Sequence, residues 1–176
     1  MSNDLQSEVE KFFAEYSRRW NSQKFAQLAE LWDREDKAPF YRAMEKERPT
    51  TTWPELERYW EPVPGKRTID GLRNVYTNLR VKAVDADVAV VLFDLEWDIK
   101  APGQKPMSGT DPGLAVLRRR PGGWRMVAYT EACMHPAAYV RMLAEAQARP
   151  AFSRFLAEGP DWTAIQNADP YPLEPE

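Results

Sequence analysis

Three carboxylates alternate along one predicted strand, where they could transfer protons. Asp94, Glu96 and Asp98 are separated by single apolar residues, so the period of two places all three on one face. If that face points into a cavity, at least one acid is desolvated and its pKa rises toward neutrality, as proton transfer requires. In the alternative, the acids face solvent or pair with Arg73 and Arg80 on the neighbouring strand. The pattern makes Glu96 a candidate acid or base and Arg73 a candidate for stabilising charge.

A second set of proton-carrying side chains lies on the last predicted strand. Tyr129, Glu131 and His135 share one face of it and could supply a donor, an acid and a base. A hydrogen-bonded row on the surface would have the same spacing. His135 is the one histidine of the chain, and without a cluster of acids or thiols it does not indicate a zinc site. Its position directly before Pro136 is also consistent with a strand end that has no catalytic role.

Aromatic residues are abundant enough to wall a binding site. The chain has seven Trp, seven Tyr and seven Phe, and large rigid rings suit flat hydrophobic or aromatic ligands. Glu45 follows the first predicted strand, and Tyr59 lies on a short predicted helix that could roof a cavity. Core packing also places aromatics at helical spacing, and a solvated loop also accounts for Glu45. The predicted ligand-contacting residues are Trp32, Tyr41, Trp53, Trp60, Arg73, Trp97 and Tyr129.

Several classes of mechanism lack their usual sequence signatures. We find no nucleophile elbow, Gly-rich phosphate loop or Cys-x-x-Cys motif, and Cys133 is the sole cysteine. The 24 basic and 27 acidic residues are nearly balanced, and the net charge of -3 does not supply the basic field that nucleic acids require. We therefore expect no metal, no other cofactor and no nucleic-acid partner.

The distribution of apolar residues indicates a soluble protein. No apolar run approaches the roughly 20 residues needed to cross a bilayer, and the polar N-terminus lacks an apolar signal core. A single cysteine cannot form an internal disulfide, which is typical of a reducing compartment. The sequence therefore predicts a cytoplasmic protein that makes no membrane contact.

Helices and then strands must position these groups. An apolar stripe from Val9 to Trp20 predicts a first helix, and Ser22 could cap a second one. A short strand and a short helix ending at Trp60 follow. The period then changes to that of strands, which we expect over residues 72–84, 87–99, 114–120 and 124–133. We assign residues 1–135 to one domain, and 136–176 to a C-terminal helical extension with a Pro-rich tail that packs on that domain or on a partner subunit.

This order of elements predicts an α+β fold. The leading helices must cover one face of a curved antiparallel sheet of about four strands, because the strands cannot bury both faces on one another. A cavity then forms between the two layers. The other face of the sheet is free for a second subunit, so we expect a homodimer or a higher homo-oligomer.

Three runs of sequence carry a resemblance to a known superfamily. The opening helices of nuclear-transport-factor-2-like proteins resemble the run FFAEYSRRWNSQKFAQLAELWDRED. The two hairpins of those proteins resemble the runs VKAVDADVAVVLFDLEWDI and GLAVLRRRPGGWRMVAYTEA. That superfamily includes ketosteroid isomerase, polyketide cyclases, scytalone dehydratase and limonene-epoxide hydrolase. The resemblance covers roughly residues 5–135 and implies a cone-shaped domain in which the sheet wraps around the N-terminal helices.

The comparison with ketosteroid isomerase carries over a single residue. Tyr16, ahead of Asn21, occupies the place of the oxyanion-binding tyrosine of that family. The places of its two aspartates fall near Phe40 or Tyr41 and near Gly113 or Leu114, and this sequence has no acid at those positions. The comparison therefore argues against steroid isomerisation, but it keeps Tyr16 as a candidate hydrogen-bond donor.

The residues and the resemblance together predict a cofactor-independent acid–base enzyme. We expect a lyase, dehydratase or isomerase acting on a hydrophobic, aromatic small molecule, and the resemblance favours a phenolic or lignin-derived dimer. The alternative is a non-catalytic small-molecule binding or dimerisation module of the same fold. The candidate catalytic residues are Tyr16, Glu45, Tyr59, Glu96, Glu131 and His135.

Overall fold

The computed structural model describes residues 2–66 and 68–132, together with 150, 154, 157 and 158. The chain divides into two compact units, Met1–Met134 and His135–Glu176. In the second unit, the Glu158 amide donates a hydrogen bond to the Arg154 carbonyl at 3.1 Å. The helix predicted to begin at Pro136 lies outside the described residues, and the assignment of 136–176 as an extension stays a prediction.

Three helical segments form one layer of the first unit. They are α1 (Ser2–Asn21), the 3-10 helix η1 (Phe25–Leu31) and α2 (Trp53–Trp60). The apolar stripe predicted for α1 is buried from Val9 to Trp20, which confirms that helix and its inward face. The second predicted helix forms only as η1, with Lys24 at the position that Ser22 was expected to occupy and no side-chain cap.

Five strands form a curved, unclosed sheet in the order β1-β5-β4-β3-β2. The strands are β1 (Phe40–Arg42), β2 (Gly71–Ala83), β3 (Val88–Lys100), β4 (Met107–Arg120) and β5 (Gly123–Glu131). The α+β class and the curved sheet are confirmed. The expected all-antiparallel sheet of about four strands needs correction, because β1 adds a fifth strand that pairs with β5 in parallel. The sequence predicted a short strand at this place but not its pairing, because three residues show too little of a period to indicate a partner strand.

Strand β4 begins earlier than the sequence indicates. Its first half, from Met107, contains Gly109, Pro112 and Gly113, and such residues are typical of a loop. The two glycines serve packing instead. A Cβ at Gly109 would lie 2.5 Å from the Trp97 ring, and one at Gly113 would lie 2.2 Å from the ring of Phe93. Large rings on β3 therefore pack directly against glycine backbone on β4.

The two faces of the sheet have different environments. Phe13 of α1 packs on the inner face, with its ring centroid 5.4 Å from that of Phe93. On the outer face Leu92 remains 49% exposed. A register shift between Thr77 and Arg80, where Asn78 takes a φ of 52°, bends β2. The bent inner face and the helical layer enclose the site described next.

Candidate functional site

A cavity of about 360 Å³ lies against the inner face of the sheet. All five strands contribute to its wall, and α1, α2, the segment after β1 and the segment before β2 complete it. Most of the wall is aromatic or aliphatic, with a small number of polar groups, as in sites that bind small organic molecules. The lining residues are Trp20, Tyr41, Met44, Glu45, Tyr59, Ile69, Leu72, Asn74, Tyr76, Leu95, Trp97, Ile99, Met107, Asp111 and Glu131.

Glu131 is the carboxylate at the end of β5, where the strand meets the cavity. Its Oε1 accepts a 2.6 Å hydrogen bond from the Tyr129 hydroxyl, and its Oε2 accepts one of 3.1 Å from the Met44 amide. Burial raises the pKa of Glu131 to about 7, helped by the negative charges of Glu45 and Asp111 and opposed by the two hydrogen bonds. A carboxyl group with a pKa near 7 can both accept and return a proton at neutral pH.

A chain of phenols leads to this carboxylate. The hydroxyls of Tyr76 and Tyr129 are 3.3 Å apart. When Glu131 is ionised and accepts the Tyr129 proton in a hydrogen bond, the Tyr76 hydroxyl is the donor to Tyr129. Burial raises the pKa of both phenols well above the usual value, so both stay protonated at neutral pH and act as donors.

A second phenol–carboxylate pair lies at the exposed side of the cavity. The Tyr59 hydroxyl on α2 donates a 2.7 Å hydrogen bond to Oε1 of Glu45. Burial, and then the charge of Glu45, raises the pKa of Tyr59. The ring of Tyr41 connects the two pairs, because it lies 5.1 Å from that of Tyr59 and stacks on that of Tyr129 with 5.2 Å between centroids.

The opposite wall is a fixed indole. The Trp97 N–H donates a 2.6 Å hydrogen bond to Oδ2 of Asp111, which is only 4% exposed. The indole lies over Gly109, where a side chain would collide with it. Hydrogen bond and backbone contact together hold the Trp97 ring as a flat surface. The sequence analysis missed Asp111 because residues 101–113 have the composition of a loop. Gly109, Asp111 and Gly113 in fact alternate along β4 and share its inward face.

Two further polar residues of the cavity were not expected from the sequence. Asn74 and Tyr76 lie on the inner face of β2, two residues apart. A strand period was visible there, but the period does not say which face turns inward. Arg73 was predicted to contact the ligand, which would require its own face of β2 to turn inward. Leu72 and Asn74 lie on the other face, and that face is the one that lines the cavity.

The structure brings six of the predicted site residues together. Five of them line the cavity: Tyr41, Glu45, Tyr59, Trp97 and Glu131. The sixth, Tyr129, does not line it but donates a hydrogen bond to Glu131. Tyr16 does not line it. Its side chain is fully buried, its ring centroid is 6.0 Å from that of Tyr129, and its hydroxyl has no hydrogen-bond partner among residues 2–66 and 68–132. Burial raises the pKa of Tyr16.

The acids of β3 lie on the other side of the sheet, which corrects the expectation that Glu96 contributes to the cavity. Their neighbours Leu95 and Trp97 line the cavity, so Glu96 must face outward. Arg73 is outward too, and forms an ion pair of 3.0 Å with Asp98. The alternative, in which these acids pair with neighbouring strands, is the one observed for Asp98.

Three of the predicted ligand-contacting tryptophans belong to the core beside the cavity. Trp32 is 5.7 Å from Trp60 and 6.3 Å from Trp53, between ring centroids. The Trp53 N–H donates to the Asp36 carbonyl at 2.8 Å. The cluster packs η1 against α2, and none of the three rings borders the cavity. His135 lies outside the described residues.

The part of the chain that the structure describes has neither a metal-binding cluster nor a membrane-spanning helix. That part contains no group of three or more His, Cys, Asp or Glu side chains arranged to hold an ion. None of its helices combines the length and apolarity needed to span a bilayer.

The sequence matches a known family and the structure a known fold. Residues 9–136 match the family model described as a SnoaL-like domain. No curated protein matches the chain. An NTF2-like protein with a cystatin-like fold from Novosphingobium aromaticivorans is 21% identical, with a TM-score of 0.58, over 78% of this chain and 86% of that one.

Two other solved structures share the fold at lower identity. A provisionally named scytalone dehydratase from Novosphingobium aromaticivorans is 13% identical, with a TM-score of 0.61, over 74% of this chain and 84% of that one. A protein from Catenulispora acidiphila, in complex with S-DNPA, is 15% identical, with a TM-score of 0.58, over 73% and 94%. These comparisons confirm the nuclear-transport-factor-2-like fold.

Proposed function

The chain belongs to the SnoaL-like domain family, and we propose on that premise that it is a cofactor-independent acid–base enzyme acting on a hydrophobic aromatic small molecule. The observation that carries the proposal is Glu131. Its carboxyl group has a pKa of about 7, accepts a hydrogen bond from Tyr129, and borders a cavity with aromatic walls. A base of that pKa is half ionised near neutral pH, where it accepts a proton and returns it with the least cost.

Shape and lining support an aromatic ligand. The Trp97 indole on one side and the Tyr59 and Tyr41 rings on the other offer flat surfaces, and flat rings stack on such surfaces at little conformational cost. One relative of this fold is known in complex with a small molecule, S-DNPA. We propose phenolic compounds and lignin-derived aromatic dimers as the first substrates to test.

An elimination illustrates how the groups would act. The Glu131 carboxylate removes a proton from a carbon of the substrate, and the electron pair of that C–H bond forms a C=C bond. The C–O bond to a hydroxyl group on the adjacent carbon breaks, and the departing hydroxide takes the proton back from Glu131 and leaves as water. Atoms and charge balance without a cofactor, and Glu131 ends in its starting state.

Neighbouring residues would take supporting roles. Tyr59 stays protonated because its pKa is raised, and its hydroxyl can turn from Glu45 toward a developing oxyanion. A preorganised donor of this kind typically contributes about 3–4 kcal/mol. Glu45, which accepts a hydrogen bond from the Tyr59 hydroxyl in the free protein, would hold that hydroxyl between turnovers. Tyr129 orients the Glu131 carboxyl group.

The reaction class that we propose is lyase or isomerase chemistry. Dehydration, C–C cleavage and isomerisation all begin with the same proton abstraction, and a provisionally named dehydratase shares the fold. Members of this class differ in the bond that breaks after the proton has left. The product of the first substrate found therefore decides among them.

A substrate screen with two matched variants tests the proposal. Phenolics, lignin-derived dimers and steroids are incubated with the wild type, with Glu131→Gln and with Glu96→Gln, and products are followed by mass spectrometry. We expect E131Q to lower kcat by about 10²–10⁴. E96Q, on the outer face of the same sheet, should turn over like the wild type. Full activity of E131Q on a turned-over substrate would refute the proposal, and binding without turnover would favour a non-catalytic binding module.

Three further expectations belong to this proposal. We propose that the protein forms a homodimer through the outer face of the sheet, where Leu92 is exposed. We propose a cytoplasmic location, supported by the single cysteine. We also propose that residues 136–176 act as an extension of the cone-shaped domain or contact a partner subunit.

A further inference from the structure

Three apolar side chains form a continuous strip at one end of the cavity wall. Leu72 of β2 is paired with Ile99 of β3, and Ile99 is paired with Met107 of β4. All three line the cavity. Directly opposite side chains on one face of an antiparallel pair have Cβ atoms about 4.5–5.5 Å apart, so these three contact one another across the sheet. We call Leu72, Ile99 and Met107 the apolar row.

The register of the sheet places the apolar row far from Glu131. Glu131 is paired with Gly113 of β4, and Gly113 is paired with Phe93 of β3. Ile99 lies six residues beyond Phe93 on the same face of β3. At about 3.3 Å per residue, this separation is about 20 Å of strand. The apolar row and Glu131 therefore lie at opposite ends of the cavity wall.

The Trp97 indole lies between these two ends. Trp97 precedes Ile99 on the inward face of β3, and its ring is held by the hydrogen bond to Asp111. An aromatic substrate stacked on this indole has Glu131 on one side and the apolar row on the other. One end of such a molecule faces the base, and a substituent at its other end faces the apolar row.

A substituent against the apolar row meets only hydrocarbon and a thioether. None of the three side chains has an N–H or O–H donor, and the Met107 sulfur is a weak acceptor. A polar substituent would therefore give up water without a strong partner in the row. Met107 is 45% exposed, so a hydrocarbon chain that covers the row removes apolar surface from water. The row thus favours a saturated hydrocarbon chain.

We propose that the substrate is an aromatic compound with a saturated hydrocarbon chain, which binds along the apolar row while the reacting carbon faces Glu131. The inference rests on the proposed acid–base function and narrows its substrate class. The row has no titratable group and takes no part in proton transfer. Its role is to select the substrate and to fix which end of the molecule reaches Glu131.

Two probes of equal size test the proposal. 4-Butylphenol and 4-(2-methoxyethyl)phenol differ at one position of the chain, where a CH₂ group of the first is an ether oxygen in the second. Their affinities for the wild type, Ile99→Thr, Met107→Gln and Val90→Thr are measured by titration calorimetry. V90T makes the same kind of change on the outer face of β3 and serves as the control. Because Met107 is exposed, M107Q keeps the test available if I99T is not recovered folded.

We expect the wild type and V90T to bind the butyl compound at least about fourfold more tightly than the ether, the effect of one buried methylene group. In I99T and M107Q, a hydroxyl or a carboxamide lies beside the chain and can donate a hydrogen bond to the ether oxygen. The ratio should then fall to about twofold or less. Both variants should bind phenol itself like the wild type, because the ring lies at Trp97.

The outcomes separate this inference from the proposed function. Equal affinity of the wild type for the two probes would overturn the hydrocarbon chain and leave the aromatic site in place. An apolar row that serves packing alone would lower the unfolding temperature of I99T and leave the ratio at its wild-type value in both variants, which would also overturn the inference. If the wild type binds neither the two probes nor phenol, the cavity does not take aromatic ligands, and the proposed function fails together with the inference.

Discussion

The hydroxyl of Tyr129 donates a 2.6 Å hydrogen bond to Glu131, which lies two residues further along the same strand. The two side chains share the inner face of β5, so the strand itself fixes their spacing. This bond stabilises the ionised carboxylate and opposes the effect of burial on its pKa. The proposed role of Glu131 as a base at neutral pH therefore depends on a phenol that does not itself line the cavity.

Replacing Tyr129 by Phe should move the pH profile of the reaction without abolishing it. Loss of a hydrogen bond to the carboxylate raises the pKa of Glu131, so the rise of kcat/KM with pH should shift upward by about one to two pH units. Activity should recover at alkaline pH. Tyr76→Phe is the control, because Tyr76 contacts Tyr129 rather than the carboxylate, and its shift should be smaller. An unmoved profile in Y129F would show that Tyr129 does not tune Glu131.

Tyr16→Phe should leave activity unchanged. The hydroxyl of Tyr16 is fully buried, makes no hydrogen bond with the described residues and does not border the cavity. Its removal should also change the free energy of unfolding by less than about 1 kcal/mol, since no hydrogen bond of good geometry is lost. Steady-state kinetics and urea unfolding check both points. A large fall in kcat with an intact fold would return Tyr16 to the catalytic role that the resemblance to ketosteroid isomerase implied.

Sequence patterns predicted the helices and strands of this fold better than they predicted which face of each strand turns inward. The stripe on α1 and the long hairpin of β2 and β3 followed from apolar periods, because local spacing alone determines them. The period of β3 could not say whether Glu96 or Trp97 faces inward, since that depends on the helices that pack on the sheet. Glu131 was identified because its face also carries Tyr129, whereas Asp111 was hidden among glycines and prolines.

The stability of the protein should depend on pH through Glu131. Its pKa is raised from 4.5 to about 7 in the folded state, so between those values the folded chain binds more protons than the unfolded chain. The contribution of this group is therefore most favourable below pH 4.5 and is lost as the pH rises to about 7. In E131Q, the free energy of unfolding should exceed that of the wild type by about 3 kcal/mol at pH 8.

The comparison must be made across the pH range. Urea unfolding of wild type and E131Q at pH 5 and pH 8 isolates the group, because other carboxylates cancel in the difference. Glu96→Gln should show no such dependence. A constant difference between E131Q and the wild type at both pH values would mean that the folded and unfolded pKa values of Glu131 are alike.

Gly109→Ala should displace the Trp97 wall. The added methyl group would lie 2.5 Å from the indole ring, so the ring must move and its hydrogen bond to Asp111 is strained. We expect a loss of about 1–3 kcal/mol in unfolding free energy, with weaker binding of aromatic ligands. Gly71→Ala is the matched control, because the nearest atom to its Cβ is 3.8 Å away. Equal stability of G109A and G71A would contradict the close contact.

The titration of Glu131 itself tests the central claim most directly. Carbon-13 NMR of the side-chain carboxyl groups, with the Glu131 signal assigned by its absence in E131Q, follows its protonation in the free protein. We predict a midpoint of about pH 7. A midpoint near 4.5, the ordinary value for a glutamate, would mean that this carboxylate is not desolvated in the cavity and is not poised to move protons at neutral pH.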